Sequence, residues 1–486
     1  MSDTLQSALG FGMASGFYLA VLFGALIWFA AVVIAPKQLV ILIVVLTAAF
    51  PPGSSLVAGN GFGLDPYGKG AGYFFFSMLE ISVLLLAVAS ALRRAGTGHN
   101  PLAKYYWMMF VVLLWHIMIT LIEGKLPWIA NLSRAGIFYL LLQGLFVHAL
   151  ASYVATREDL NRLMVLLALA IGLRMIWGGF RYVFLGGDPM NFYDDMTEGG
   201  GHLRMTFWDI NDSIYACLLG GLLLWIAAVA DERPRWQRAA VLLFGLYCFV
   251  IVALSARRTA QGGALLALVL LLVMLPKGRR WPVLLVFALS VPMAMYKLQE
   301  RMGTRESLVD QLTQQRERSK FYVDPRMNRF YELHTAWKTI EEHPLIGVGP
   351  AGEFEVTDDT GLAYHKGNFG FVHSGFVHVL LKTGAIGLAI FCLLLLGYVR
   401  ALVRTWSGTT SWHRGVLAAS ACGFAASIPN LAVGTPQIEA RTMLVMGVLF
   451  ALPLLVARTL SQIGMAQDQA PIESAGELSG PAAATR

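Results

Sequence analysis

Apolar residues run along this chain in long blocks broken by short polar stretches. The blocks fall at roughly 12–35, 39–51, 73–92, 105–122, 135–155, 163–186, 213–230, 239–255, 262–276, 281–296, 371–399, 413–428 and 440–457. A membrane-spanning helix needs about 20 mainly apolar residues, with about 17–25 common. The pattern therefore predicts an all-α fold, a polytopic membrane helix bundle of about 12 or 13 transmembrane segments, with 39–51 as a partial span.

One interval breaks the rhythm. Residues 297–370 hold ten basic and twelve acidic residues, roughly a third of the charge in the chain. A connection this long is usually functional or disordered, and this one predicts a folded insertion. Within it Phe330, Leu333, Trp337 and Ile340 recur at spacings of three, four and three, with Glu332, Lys338, Glu341 and Glu342 elsewhere on the wheel. That is one apolar stripe on an amphipathic helix, suited to lie at the interface or cap the bundle. His343-Pro344 ends it, because the residue before proline avoids the helical region. The chain divides into an N-terminal bundle at 1–296, the large loop at 297–370, C-terminal spans at 371–458 and a disordered tail at 459–486.

Composition agrees with the pattern. Hydrophobic residues make up 56% and charged residues 14%, against about 45–50% and about 25% in soluble domains. That excludes an ordinary soluble enzyme. The balance of 37 basic over 30 acidic residues reads as membrane sidedness, not as a nucleic-acid partner. Cys217, Cys248, Cys392 and Cys422 are scattered through apolar blocks, as small hydrophobes are, without the spacing of a disulfide or zinc framework. The N-terminus has no basic n-region or A-x-A site, so the first apolar block is expected to stay in the membrane.

Loop charge supplies the orientation. Arg93, Arg94 and Lys104; Arg157 and Arg162; Arg233, Arg235 and Arg238; Lys277, Arg279 and Arg280; and Arg400, Arg404 and Arg414 fall in loops that alternate onto one side. The positive-inside rule makes that side cytoplasmic and makes 297–370 extracytoplasmic.

Four clusters on the outward side combine polar chemistry with the ends of apolar blocks: Arg204 to Asn211; Ser255-Ala-Arg257-Arg258-Thr259; Arg326-Met-Asn-Arg329 leading to Pro344-Leu-Ile-Gly347-Val-Gly349-Pro350; and His373-Ser374-Gly375, followed by Lys382-Thr-Gly384. Arginine grips phosphate oxygens with a planar fork and keeps its charge when partly desolvated. A histidine at a helix start is held neutral by the positive helix end and is suited to take a proton from a hydroxyl. Each residue also has a structural reading: Arg257 and Arg258 snorkel, Arg326 and Arg329 form a solvated helix face, and His373 is a satisfied polar residue. His378 is structural, and Gly347-Val-Gly349-Pro350 is a turn, too short for a dinucleotide loop. Arg174 and Arg181 share a face of one block and either line a pathway or pair with Glu80 or Glu123. Asp194-Asp195 and Asp358-Asp359 lack a histidine or a third spaced carboxylate, so no metal and no cofactor is expected.

The set Arg329…Pro344-Leu-Ile-Gly347-Val-Gly349…His373-Ser374-Gly375…Gly384-Ala-Ile-Gly387, with Arg258 in a Ser-Arg-like element and Arg204…Asn211 upstream, resembles the O-antigen ligase and polysaccharide polymerase family. Arg257 stands where the family usually has serine, which leaves the choice between Arg257 and Arg258 open. The resemblance covers about residues 200–400. It implies a multi-span (GT-C-like), inverting, metal-independent glycosyltransferase of the bacterial inner membrane. The donor would be a polyprenyl (undecaprenyl) diphosphate-linked glycan on the periplasmic face, and the acceptor a glycan or lipid A core. Arg258 and Arg329, with Arg204 and Arg257, would bind the diphosphate. His373 would serve as base, and Asn211, Arg326 and Ser374 would support. A transporter or flippase of lipid-linked saccharides is the competing reading; the matched half-repeats of a transporter are not evident.

Overall fold

The computed structural model describes residues 24, 26–51, 67, 77–93, 100–122, 137–191, 204–302, 325–356, 367–407 and 409–468. In chain order the elements are α1 (Pro36–Ala49), α2 (Met78–Leu92), α3 (Ala103–Ile122), α4 (Ile137–Tyr153), α5 (Arg157–Phe184), α6 (Ile210–Val229), α7 (Arg235–Ala253), α8 (Arg258–Met274) and α9 (Trp281–Met302). These are followed by α10 (Pro325–Glu342), a small hairpin of β1 (Phe354–Val356) and β2 (Gly367–Phe369), then α11 (Gly375–Trp406), α12 (Ser411–Val433) and α13 (Ala440–Asp468).

The chain is a polytopic all-α membrane protein. Among the described residues eight helices, α3, α5, α6, α7, α9, α11, α12 and α13, are long and apolar enough to cross a membrane. Four more predicted spans are shorter apolar helices: α1, α2, α4 and α8, of 14, 15, 17 and 17 residues.

Local chemistry sets several helix starts. Ser77 with Glu80 caps α2, and Thr156 with Asp159 caps α5, each as a reciprocal capping box. The centre of the bundle is α6, buried over nearly its whole length and packed by α7, α8 and α12. Between α8 and α12 the backbones nearly touch: a Cβ on Gly263 would lie 2.3 Å from the Ala426 carbonyl oxygen. Small residues permit this approach, which drives helix association in lipid. Cys217, Cys248 and Cys422 are buried here as free thiols. On the outside, Trp107, Val111, Leu114, Met118 and Leu121 of α3 are exposed at helical spacing, a stripe suited to lipid.

One predicted boundary and one predicted helix face differ. The last span continues as helix to Asp468, past Arg458. Leu460, Gln462 and Met465 are good helix formers, and buried Thr459 bonds to the Val456 carbonyl one turn back. Residues 469–486 lie outside the described residues. In α10 the buried positions are Thr335, Ala336 and Ile340, whereas Trp337 is 48% exposed. The helix is rotated from the predicted stripe because its satellite core, with Phe354, Val372 and Leu381, is small and takes Ala336 inward. Phe330 lies on α10, but its side chain is outside the described ones.

The two ends of the bundle differ. At one end are the short basic connections: Lys37 pairs with Asp159 at 2.7 Å, and Arg279 donates to the Ala228 carbonyl and pairs with Asp231. At the other end lie all four clusters singled out in the sequence.

Candidate functional site

Residues 204–208 cross the site end as an anchored strap. The Asp188 N–H donates to the Met205 carbonyl at 2.9 Å, and the Trp208 N–H donates to the Asp188 carboxylate at 3.0 Å. Arg181 pairs with Asp188 at 2.8 Å and also donates to the Thr206 carbonyl at 3.0 Å. The Thr206 hydroxyl donates to the Ile251 carbonyl at the end of α7. Arg204, at the edge of the strap, is exposed.

The turn between α7 and α8 passes beside this strap. Ala256 has φ +54° and is buried, clustered with Met205. Arg257 is the N-cap of α8; its guanidinium donates to the Trp208 carbonyl and lies 4.9 Å from the centre of the Trp208 ring. Arg258 opens α8 and is exposed. The structure therefore gives the two adjacent arginines different surroundings.

Beneath the strap is a buried polar plug. Asp212 receives Arg174 at 2.7 Å on one oxygen and Arg441 at 2.8 Å on the other, and Arg441 also pairs with Asp209 and donates to the Thr47 carbonyl. Arg174 and Arg181 lie over the face of Phe207 at 4.9 and 5.8 Å. This corrects the sequence expectation: their acids are Asp212 and Asp188, not Glu80, which caps α2, and not Glu123, which is outside the described residues. Asn211 belongs to the plug as well. It is fully buried and donates to Asp209 at 2.8 Å and to Thr442 at 2.9 Å, which ties α6 to α13.

The outer insertion docks on a break in α11. Gly384 has φ +63° and interrupts the helix, which releases the Leu381 and Lys382 carbonyls. The N–H groups of Val348 and Gly349 take them at 2.9 and 3.0 Å, and the Ala385 N–H reaches the Pro344 carbonyl at 2.8 Å. A Cβ on Gly384 would lie 2.2 Å from Leu345 backbone atoms, so this contact requires glycine. The Pro344–Pro350 segment is a turn, as expected, with Gly347 at φ +70° and Gly349 at φ +81°. Buried Lys382 donates to the Pro350 carbonyl at 3.3 Å and to the Gly352 carbonyl, and His116 of α3 bonds the Ile346 carbonyl at 2.8 Å.

This docking brings α10 against the start of α11 and delivers a residue that lies off the predicted apolar stripe of the helix. Glu332 accepts the His373 backbone N–H at 2.9 Å on one oxygen and sits 2.7 Å from Nδ1 with the other. The His373 side chain keeps 42% of its surface exposed, against 16% for Glu332. Ser374 is the N-cap of α11 and is buried, with its hydroxyl accepting the Val377 N–H, which makes it a cap. His378 is buried, consistent with a structural role. Arg326 and Arg329 lie on the first half of α10, where side chains are outside the described ones.

The connection from α12 to α13 joins the histidine and arginine faces. The Thr435 hydroxyl donates to the Val372 carbonyl, and Gln437 donates to the Gly375 carbonyl at 3.3 Å. Pro429 meets Gly262, one turn past Arg258. Glu439, in the connection before α13, is solvent-accessible; partial desolvation by its neighbours and the Asp209 charge push its pKa up, against the opposing effects of Thr442, Arg257 and Arg441. Among the described residues no group of three or more His, Cys, Asp or Glu is placed to hold a metal ion. Asp194, Asp195, Asp358 and Asp359 are outside them.

Fold and composition thus define a multi-pass membrane protein whose polar end groups arginines with a carboxylate-bound histidine. Residues 239–392, about a third of the chain, match the family model described as O-antigen ligase, which is what this part of the chain is similar to. It spans α7 through the first half of α11, including Arg257, Arg258, Arg329, the glycine turn and His373. The strap and its Arg204…Asn211 element lie before it. No curated protein matches the chain.

Proposed function

We propose that the protein transfers a glycan from a polyprenyl diphosphate carrier to an acceptor sugar hydroxyl on the periplasmic face of the bacterial inner membrane. The observation that carries this reading is the Glu332–His373 pair at the head of α11. A neutral histidine donating Nδ1–H to Glu332 presents the lone pair of Nε2 as a base, and the carboxylate stabilises the imidazolium that forms. The acceptor hydroxyl gives its proton to Nε2 while its oxygen forms a bond to the anomeric carbon. The bond from that carbon to the diphosphate breaks with its electron pair, and the configuration inverts. Arg258, Arg329 and Arg204 hold the departing diphosphate and stabilise its charge, in place of a metal ion. Arg326 supports from α10, and Ser374 fixes the helix start.

The basic connections at the opposite end are the cytoplasmic side. The bundle at 1–296 and the spans at 371–458 enclose the site, and 297–370 is its periplasmic cover. The acceptor is a sugar of the lipid A core or of a growing glycan, and the polysaccharide profile of a deletion strain assigns which.

Purified protein in lipid nanodiscs, given an undecaprenyl diphosphate-linked glycan and an acceptor saccharide, is expected to release undecaprenyl diphosphate and lengthen the acceptor. Donor movement across vesicles with no transfer to acceptor would overturn the reading in favour of a flippase.

A further inference from the structure

Arg257 and Arg258 are adjacent in sequence, yet the turn that carries them separates their roles. We propose that Arg257 is a positioning residue that locks the 204–208 strap to the start of α8, so that Arg204 and Arg258 are held as one rigid diphosphate-binding edge. The ligand in this inference rests on the proposed function.

Three observations lead here. Ala256 adopts a left-handed backbone, disfavoured for any residue with a Cβ, at the residue immediately before the two arginines. Its methyl group is buried with Met205, and so the strap and the turn meet directly beside Arg204 on one segment and Arg257 on the other. Secondly, the Arg257 guanidinium is engaged with the strap: it donates to the Trp208 carbonyl and lies over the Trp208 ring. Arginine performs both tasks with one planar fork, whereas lysine brings charge without the fork or the stacking plane. Thirdly, the strap is tied from its far side by Arg181, Asp188 and Thr206, and Met205, Thr206 and Phe207 are fully buried. Arg257 supplies the near-side tie. The exposed side chains at the two edges of this mount are Arg204 and Arg258. A cation pair held this way meets two phosphate groups without reordering on binding.

The test uses the full chain in nanodiscs, titrated with undecaprenyl diphosphate and no acceptor, so that binding is read apart from turnover. Arg257→Lys and Trp208→Ala are each expected to weaken binding about tenfold, and the double variant to be no weaker than the worse single one, as for residues acting through one contact. Trp208→Phe, which keeps the ring and the carbonyl, is expected to stay within about threefold of wild type. Near-normal binding by Arg257→Lys would overturn the proposal, because charge alone would then suffice. Multiplying losses in the double variant would also overturn it, placing Arg257 on the ligand itself. A wild-type protein that does not bind undecaprenyl diphosphate would instead overturn the donor assignment beneath both readings.

Discussion

At the start of α13, Arg441 is wholly buried between Asp209 and Asp212, and Asp212 takes Arg174 on its remaining oxygen. At the start of α11, His373 is bound by Glu332 through its backbone N–H and Nδ1, yet two-fifths of its side chain stays open. Both regions occupy the same end of the bundle, and both use carboxylates against nitrogen. The difference is what each leaves over. In the plug two acids meet two guanidiniums, so charge cancels where desolvation penalises any excess. In the dyad one carboxylate occupies one edge of the ring, which leaves the other nitrogen available for the proposed role of base. A polar residue in a membrane protein is expensive in either setting, but only the second has capacity left for a substrate.

The comparison breaks first at the plug. Asp212→Ala strands Arg174 and Arg441 with one acid fewer and is expected to cost about 3–5 kcal/mol of stability, read as a large drop in melting temperature or loss of folded protein in detergent. Unchanged stability would mean that water already compensates these arginines. At the dyad the effect should fall on rate instead. Glu332→Gln retains an acceptor for only one of the two His373 N–H groups, and kcat is expected to fall about 10²-fold or more with the melting temperature nearly kept. Equal losses of stability and rate would erase the distinction between plug and dyad.

A smaller effect lies between them, at Glu439. Its folded pKa is raised by desolvation and by Asp209, so the folded protein holds this proton more tightly than the unfolded chain does. The stability it contributes is full below the unfolded value, about 4.3, and is lost as the pH rises through the folded one. Melting temperatures measured upward from that pH should therefore decline less steeply in Glu439→Gln than in wild type; identical slopes would remove Glu439 from the linkage.

The bundle and the grouping of four clusters at one end are legible in the sequence because they depend on length and sign alone. Apolar blocks near 20 residues state where spans fall, and loop arginines state which ends go together. Partners across the fold are not legible in that way. The spacing of Arg174 and Arg181 shows that they share a face, but Asp188 and Asp212 become their acids only when the strap folds over Phe207. Glu332 sits 41 residues before His373 on a helix whose apolar stripe is weak, and the small satellite core decides its rotation. Gly384 lies within an apolar run that reads as one continuous helix; its break is explained only by the turn that takes the freed carbonyls. The signal available was the glycine itself, in register with two glycines of a proline-bounded turn. Likewise Arg257 and Arg258 look equivalent until the backbone at Ala256 separates them.

The central claim is that His373, oriented by Glu332, takes the acceptor proton. Single-turnover transfer from an undecaprenyl diphosphate-linked glycan to acceptor, with donor binding measured on the same nanodisc sample, tests it most directly in His373→Ala. Donor binding is expected to stay within about threefold of wild type and transfer to slow by about 10²–10⁴-fold, the range a positioned general base contributes. Transfer at a near-normal rate by that variant would contradict it.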